Sequence, residues 1–146
     1  MAECDPQLEA RLRDSFARQS MMHTLGAGLT DIRPGQCQIT SSIPPGALQQ
    51  HGIGHAGLTF SIGDSAAGYA ALSLMPEDQE VVTSEMKINL LAPAQGDHLV
   101  AEGRVIRPGR RLMTVQADVY AVKGETRHHI AVLLGTMVPV PLSHAG

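Results

Sequence analysis

One carboxylate, Asp64, stands within a long stretch of apolar and small residues. The stretch runs from Leu58 to Leu74, and its apolar residues recur at three- and four-residue steps on both sides, which predicts a buried helix. No cation occurs three or four residues from Asp64 to neutralise it. A lone carboxylate there is costly unless a distant group pairs with it. Asp64 therefore either fixes packing through a hydrogen bond or marks a functional site, and the rarity of such acids favours a site.

The segment before this helix, QQHGIGHAG from Gln49 to Gly57, combines three glycines with two histidines. This composition predicts an irregular loop whose backbone approaches another group closely. His51 and His55 are four residues apart, but the intervening glycines disfavour a helix and no acidic third ligand is adjacent, so we predict no metal site. We expect His55 to orient the loop through a hydrogen bond. No phosphate-binding glycine motif follows a strand, so we also predict no nucleotide cofactor.

Basic residues gather around a later turn. Arg104, Arg107, Arg110 and Arg111 bracket a predicted hairpin, and Lys87 lies on the strand before it. These side chains form either a solvated turn or a docking patch for phosphate groups, which the fork of donors on arginine suits well.

The surrounding elements predict one α+β domain spanning residues 1–146. Asp5 and Pro6 begin a short surface helix over residues 5–19. Alternating patterns predict a hairpin before the glycine-rich loop and four strands in a meander after the helix, over residues 23–33, 36–43, 80–91, 98–107, 112–122 and 126–140. An antiparallel sheet of five or six strands wrapped around one central helix satisfies this order. A second copy would cover the remaining sheet edge and apolar surface.

The third of these strands has one apolar and one polar face by simple alternation. We expect Val82, Ser84, Met86 and Ile88 on one side, and Val81, Thr83, Glu85 and Lys87 on the other.

Composition excludes several classes of protein. The formal net charge is -3, there is no Trp, and only two Tyr and two Phe are present, which argues against a nucleic-acid-binding protein. The acidic N-terminus lacks an apolar run, and no stretch is long and apolar enough to span a membrane. Cys4 and Cys37 show no CxxC spacing, so we expect reduced thiols in a cytoplasmic protein.

Four short motifs carry a family resemblance: His55-Ala56-Gly57, Asp64-Ser65-Ala66 seven residues after Gly57, Pro93 with Gly96-Asp97, and Arg110-Arg111. Over about residues 20–140 the chain resembles the hotdog-fold acyl-CoA thioesterases of the phenylacetate-degradation type. Their usual signature is HGG, a short apolar spacer, and a catalytic Asp followed by Thr or Ser and Ala. The resemblance implies a hotdog fold and hydrolysis of an acyl-CoA, with coenzyme A as part of the substrate and no cofactor.

The resemblance also implies roles for individual residues. Asp64 takes the place of the catalytic acid, which acts as general base or nucleophile. Ala56 stands where the family has a glycine whose backbone N–H polarises the thioester carbonyl. Gln49 stands where many members have an asparagine. Thr83 stands where some members have a serine or threonine that helps to hold a water. His55 and Gly57 flank the N–H donor, while Arg110, Arg111 and Lys87 would bind the nucleotide phosphates.

Gln49 and Ala56 depart from the family pattern, which keeps alternatives open. One is a non-catalytic module that binds acyl-CoA or an acyl carrier. Another is hydration or dehydration of an enoyl thioester, which usually needs a His beside the acid.

The start of the predicted helix is a second group that could act on a substrate, and its distance from Asp64 bears on the number of chains in the site. Unpaired N–H groups and the helix dipole make residues 56–58 suited to stabilising an oxyanion. Asp64 lies seven or eight residues further on, about 10–12 Å away at ~1.5 Å per residue. If both groups act on one thioester, they come from different subunits of a homodimer or of a dimer of dimers.

Overall fold

The computed structural model describes residues 4–142. Its first elements are α1 (Pro6–Ala17) and α2 (Ser20–Thr24). The side chain of Asp5 caps α1 by accepting from the N–H of Gln7, and Leu12 is fully buried beneath the helix. The predicted first helix is present, but the strand expected from residue 23 begins later because His23 belongs to α2.

In the described part of the chain, six antiparallel strands form one sheet. They are β1 (Ala27–Arg33), β2 (Gln36–Ser41), β3 (Gln79–Leu90), β4 (His98–Pro108), β5 (Met113–Lys123) and β6 (Thr126–Pro141). A 3-10 turn at Pro45–Ala47 leads from β2 into the glycine-rich loop.

The strand order in the sheet is β1-β2-β4-β5-β6-β3. The predicted four-strand meander is therefore wrong in one respect: β4, β5 and β6 form a meander, but β3 pairs with β6 at the far edge instead of with β4. The chain crosses from β3 to the opposite half of the sheet before the meander begins. Alternation along a strand reports which face is buried, and it carries no information about which strand lies beside it.

The sheet wraps the long helix α3 (Ala56–Leu72), which starts two residues earlier than the sequence predicted. Gly103 on β4 lets the helix approach closely, because a Cβ there would lie 2.3 Å from the backbone of Ala66. The expectation of a helix buried all round is wrong for one stripe. Ala56 and Gly57 are exposed and Asp64 is half-buried, while the opposite faces of the helix are covered by the sheet.

A β-bulge divides β3 between Thr83 and Glu85 and leaves Ser84 without a register partner. The bulge shifts the alternation by one residue, so the predicted faces of this strand are wrong. Val82 is 45% exposed, whereas Val81 on one side of the bulge and Met86 and Ile88 on the other pack against the core.

Candidate active site

Asp64 projects from the middle of α3 toward the edge strand β3. Its Oδ1 accepts a hydrogen bond of 2.8 Å from the hydroxyl of Thr83. Burial raises the pKa of Asp64, and the hydrogen bond from Thr83 opposes this shift only in part. A half-buried carboxylate with a raised pKa is a stronger base than an ordinary aspartate, and such groups concentrate at functional sites.

A cavity of about 360 Å³ opens beside Asp64. Helix α1 supplies one wall, the second half of α3 another, and the first residues of β3 a third, with Met137 of β6 also in contact with the space. Asp64 and Thr83 both line this cavity. The carboxylate is thus accessible to a bound molecule.

The N-terminus of α3 is capped in a way that leaves one donor free. His55 is the N-cap residue, and its Nδ1 accepts a hydrogen bond of 2.7 Å from the N–H of Gly57. The N–H of Leu58 bonds to the carbonyl of His55. Within residues 4–142 no acceptor is bonded to the N–H of Ala56, the first residue of the helix. The free donor at this helix end is therefore that of Ala56, while Gly57 is occupied by the cap.

The structure brings Thr83 to Asp64 but keeps the other predicted catalytic groups apart from them. Ala56 precedes Asp64 by eight residues on one helix, a separation of ~12 Å along the axis. Gln49 lies in the loop, where its side chain accepts from the N–H of His51 and its own N–H bonds to Ile53. One chain therefore holds two half-sites: a carboxylate with its hydroxyl partner, and a helix N-terminus with its loop.

The predicted phosphate patch is divided. Arg110 and Arg111 lie exposed at the β4–β5 turn, where Arg110 lines a second cavity together with Gln79 of β3 and Pro139 of β6. Sheet register aligns Thr83 with Met137, Met113 and Pro108 in one row. The two arms of the hairpin are thus two and three strand spacings, about 10 and 14 Å, from Thr83.

Lys87 lies on β3 and is separated from that hairpin by β6. Its register partner is Leu134, and both are exposed, so Lys87 belongs to the sheet surface that faces away from α3. The grouping of Lys87 with the arginines is wrong for a single chain.

Three cavity residues escaped the sequence interpretation: Ser15, Gln19 and Tyr69. The phenol oxygen of Tyr69 accepts from the Gln19 amide at 2.9 Å and lies 3.1 Å from the hydroxyl of Ser15. A signal was present, because Ser15 and Gln19 continue the i, i+3 and i+4 stripe that begins with Leu8 and Leu12. Polar residues on the core-facing stripe of a surface helix point to a polar contact inside.

Within residues 4–142 there is no group of three or more His, Cys, Asp or Glu side chains arranged to hold a metal ion. In the same part of the chain no helix is long and apolar enough to cross a membrane.

A sheet wrapped around one helix, with an acid on that helix facing a cavity, defines a hotdog-fold protein of the thioesterase class. Residues 51–127 match the family model described as the thioesterase superfamily, and the chain belongs to this family. The resemblance seen in the sequence motifs is thereby confirmed, and the family supports thioester hydrolysis as the general activity.

Individual relatives agree with this assignment. The chain is similar to a thioesterase family protein from Silicibacter pomeroyi at 39% identity, with a TM-score of 0.89 over 92% of this chain and 98% of that one. A Deinococcus radiodurans protein, whose name gives an esterase activity only by inference, is 31% identical over 81% of this chain and 77% of its own. The PaaI protein of the Escherichia coli phenylacetic acid degradation operon shares the fold, at 20% identity and a TM-score of 0.83 over 94% and 96% of the two chains.

Proposed function

We propose that the protein hydrolyses acyl-CoA thioesters to a free carboxylic acid and coenzyme A. The observation that carries this proposal is the placement of Asp64. It is a half-buried carboxylate with a raised pKa, is held by Thr83, and faces a cavity large enough for a small acyl group.

Asp64 can act in one of two ways. As general base it accepts a proton from water while the water oxygen bonds to the thioester carbon; the C–S bond then breaks and the thiolate takes up the proton. As nucleophile its carboxylate oxygen bonds to that carbon and expels the thiolate, and water then hydrolyses the mixed anhydride. In both routes Thr83 orients the carboxylate and negative charge develops on the carbonyl oxygen.

The free N–H of Ala56 is suited to that developing charge, since it lies at the positive end of the α3 dipole. Because Ala56 and Asp64 of one chain are too far apart, the proposal pairs Asp64 of one copy with Ala56 of another. Two features support such a dimer: β3 is an edge strand of 12 residues, and the stripe of α3 that carries both groups is not covered by the sheet. The assembly is a homodimer or a dimer of dimers.

Arg110 and Arg111 are proposed to bind the phosphates of coenzyme A. Both are exposed, and within residues 4–142 neither makes an ion pair with a carboxylate. Unpaired guanidinium groups at a turn are available for bidentate contacts with phosphate oxygens.

The deciding experiment is thiol release from a panel of acyl-CoAs by wild type and by Asp64→Asn. We expect the variant to lose turnover by ~10²-fold or more, the contribution of a general base, while calorimetry shows retained acyl-CoA binding. Asp78→Asn, which changes an exposed carboxylate that does not line the cavity, is the matched control and should behave as wild type. Turnover by Asp64→Asn within about threefold of wild type would contradict the proposed role. Binding without thiol release by wild type would instead identify a non-catalytic acyl-CoA or acyl-carrier binding protein.

A further inference from the structure

The cavity beside Asp64 ends in a polar cluster formed by Ser15, Gln19 and Tyr69, here termed the distal cluster. An acyl pocket that accepted only hydrocarbon chains would gain most from apolar walls. Here polar groups meet in the pocket instead: Ser15 lies on α1, Gln19 lies between α1 and α2, and Tyr69 lies on α3.

The hydrogen bonds of the distal cluster leave one hydroxyl hydrogen without an acceptor. The hydroxyls of Ser15 and Tyr69 share a single contact of 3.1 Å in which either can be the donor. The Gln19 amide donates to the phenol oxygen. Whichever hydroxyl donates to the other, the remaining O–H hydrogen has no further acceptor among residues 4–142.

An acceptor is also free. The side-chain carbonyl of Gln19 makes no hydrogen bond within the described part of the chain. The distal cluster therefore offers the free hydroxyl hydrogen, the second hydrogen of the Gln19 amide and the Gln19 carbonyl to a molecule in the cavity. A group that both accepts and donates hydrogen bonds, namely an alcohol, complements them.

The distal cluster is held rigidly and is electrically neutral. Tyr69 is only 4% exposed, and its ring packs against Phe16 with centroids 5.6 Å apart. Burial raises the pKa of the Tyr69 phenol, so it stays protonated at neutral pH. Preorganised donors lose little entropy when a ligand binds.

A carboxylate fits the cavity less well than an alcohol. Glu80 lines the space and adds a like charge. Among residues 4–142, Arg18 at the end of α1 is the only cation on the wall; its side chain is 70% exposed and lies 3.9 Å from Asp14. Solvent and Asp14 weaken its attraction for an anion.

The position of the distal cluster sets where the alcohol lies on the acyl chain. Tyr69 follows Asp64 by five residues, roughly 7.5 Å along the helix axis. The thioester carbon must lie at Asp64, so the polar group is several bonds beyond it. We infer that the preferred substrates carry a hydroxyl at the far end of a short acyl chain, recognised by Ser15, Gln19 and Tyr69. This inference rests on the proposed acyl-CoA hydrolysis.

The test compares kcat/KM for three thioesters of equal chain length: pentanoyl-CoA, 5-hydroxypentanoyl-CoA and glutaryl-CoA. We expect the hydroxylated substrate to be preferred over pentanoyl-CoA by about tenfold, the effect of one or two satisfied hydrogen bonds. In the double variant Ser15→Ala with Tyr69→Phe, that ratio should fall to about one. Gln19→Leu, which removes the amide that donates to the phenol oxygen but leaves the phenol itself in place, should lower it in the same direction.

Ser20→Ala removes an exposed hydroxyl next to the distal cluster and should leave the ratio unchanged. Equal turnover of pentanoyl-CoA and 5-hydroxypentanoyl-CoA by wild type would overturn the inference and leave the proposed hydrolysis standing. A preference for glutaryl-CoA would overturn it in favour of a carboxylate site. The absence of thiol release from all three substrates and from a broader panel would overturn both proposals. The wild-type ratio decides the matter even if the double variant does not fold.

Discussion

The hydroxyl of Thr83 lies 2.8 Å from Oδ1 of Asp64, and this hydrogen bond joins the edge strand of the sheet to the middle of the central helix. Thr83 stands one residue before the bulge that interrupts β3. By simple alternation Thr83 and Met86 would lie on opposite faces of the strand. Because of the bulge, Thr83 faces the helix on the same side as Met86 and Ile88. A local irregularity of the strand thus places the hydroxyl partner of the proposed catalytic carboxylate.

Replacing Thr83 by Val should lower kcat/KM about tenfold, because a hydrogen bond to a charged group is lost while the shape is kept. Thr83→Ser should retain most activity. The measurement is steady-state thiol release. Thr136→Val is a matched control, since this hydroxyl of β6 bonds to Glu85, the next paired residue of β3 after Thr83. Equal activities of Thr83→Val and wild type would show that the contact is structural.

The pH dependence follows from the raised pKa of Asp64. A general base or nucleophile must be ionised, so kcat/KM should fall as pH drops through the pKa of this carboxyl. The midpoint should lie above that of an ordinary aspartate. Thr83→Val should move it higher still, because the hydrogen bond from Thr83 lowers the pKa. A profile recorded from about pH 4 to pH 9 tests both. If Thr83→Val leaves the midpoint unchanged, the midpoint does not report the ionisation of Asp64.

The raised pKa of Asp64 also predicts that its ionised form, which is needed for activity, lowers the stability of the fold. A carboxyl whose pKa is raised by folding binds its proton more tightly in the folded state, so its ionisation above that pKa destabilises the fold. Asp64→Asn should therefore raise Tm at neutral pH, by on the order of 1–3 °C. The difference should vanish as pH falls below the pKa of the unfolded chain, where both states are protonated. Calorimetric scans of both proteins at neutral and acidic pH measure this. A Tm difference between variant and wild type that is the same at both pH values would contradict the prediction.

The packing of the helix on the sheet gives a prediction that does not depend on the proposed function. A Cβ at Gly103 would lie 2.3 Å from the backbone of Ala66, so Gly103→Ala forces apart two rigid elements. We expect a loss of about 3 kcal/mol and a fall in Tm of roughly 10 °C. Gly28→Ala is the control, since nothing lies within 4 Å of its added Cβ. Similar melting temperatures for the two variants would mean that the helix can shift without cost.

Much of the fold could be predicted from sequence because local patterns report local structure. The stripe of α3, the alternation of β5 and the turn residues gave the elements within a few residues. Asp64 was identified because a charge among apolar residues needs a partner. The family resemblance pointed to Thr83 as a residue that holds a water, and its hydrogen bond to Asp64 was not predicted. Strand order was out of reach, since β3 could equally have paired with β4. The distal cluster was also missed, because Ser15 and Tyr69 meet only when α1 packs on α3.

The arginines at the β4–β5 turn should affect substrate binding more than chemistry. Arg110→Ala with Arg111→Ala should raise KM about fivefold and leave kcat nearly unchanged, because phosphate contacts stabilise ground and transition states alike. The effect should shrink in high salt. Lys123→Ala removes an exposed cation at the opposite end of β5 and serves as control. An unchanged KM at low ionic strength would show that the turn is solvated and does not bind the phosphates of the substrate.

The shared site predicts that two inactive variants restore activity when mixed. Asp64→Asn removes the carboxylate, and Ala56→Pro removes the N–H proposed to stabilise the oxyanion. The proline should fold, because Ala56 is the first residue of α3, where proline is favoured, and His55 before it has the extended conformation that a following proline requires (φ -64°, ψ 146°). Each homodimer lacks one component at both sites, whereas a mixed dimer has one intact site.

After subunit exchange about half of the dimers are mixed and each has one intact site of two, so thiol release should recover to roughly a quarter of wild type. The single variants, each taken through the same exchange alone, set the baseline. Mass spectrometry of intact assemblies verifies that mixed dimers form. If mixed dimers form and remain inactive, Asp64 and Ala56 do not act on one thioester from two chains. Full activity of Ala56→Pro by itself would instead show that its N–H is not the oxyanion donor.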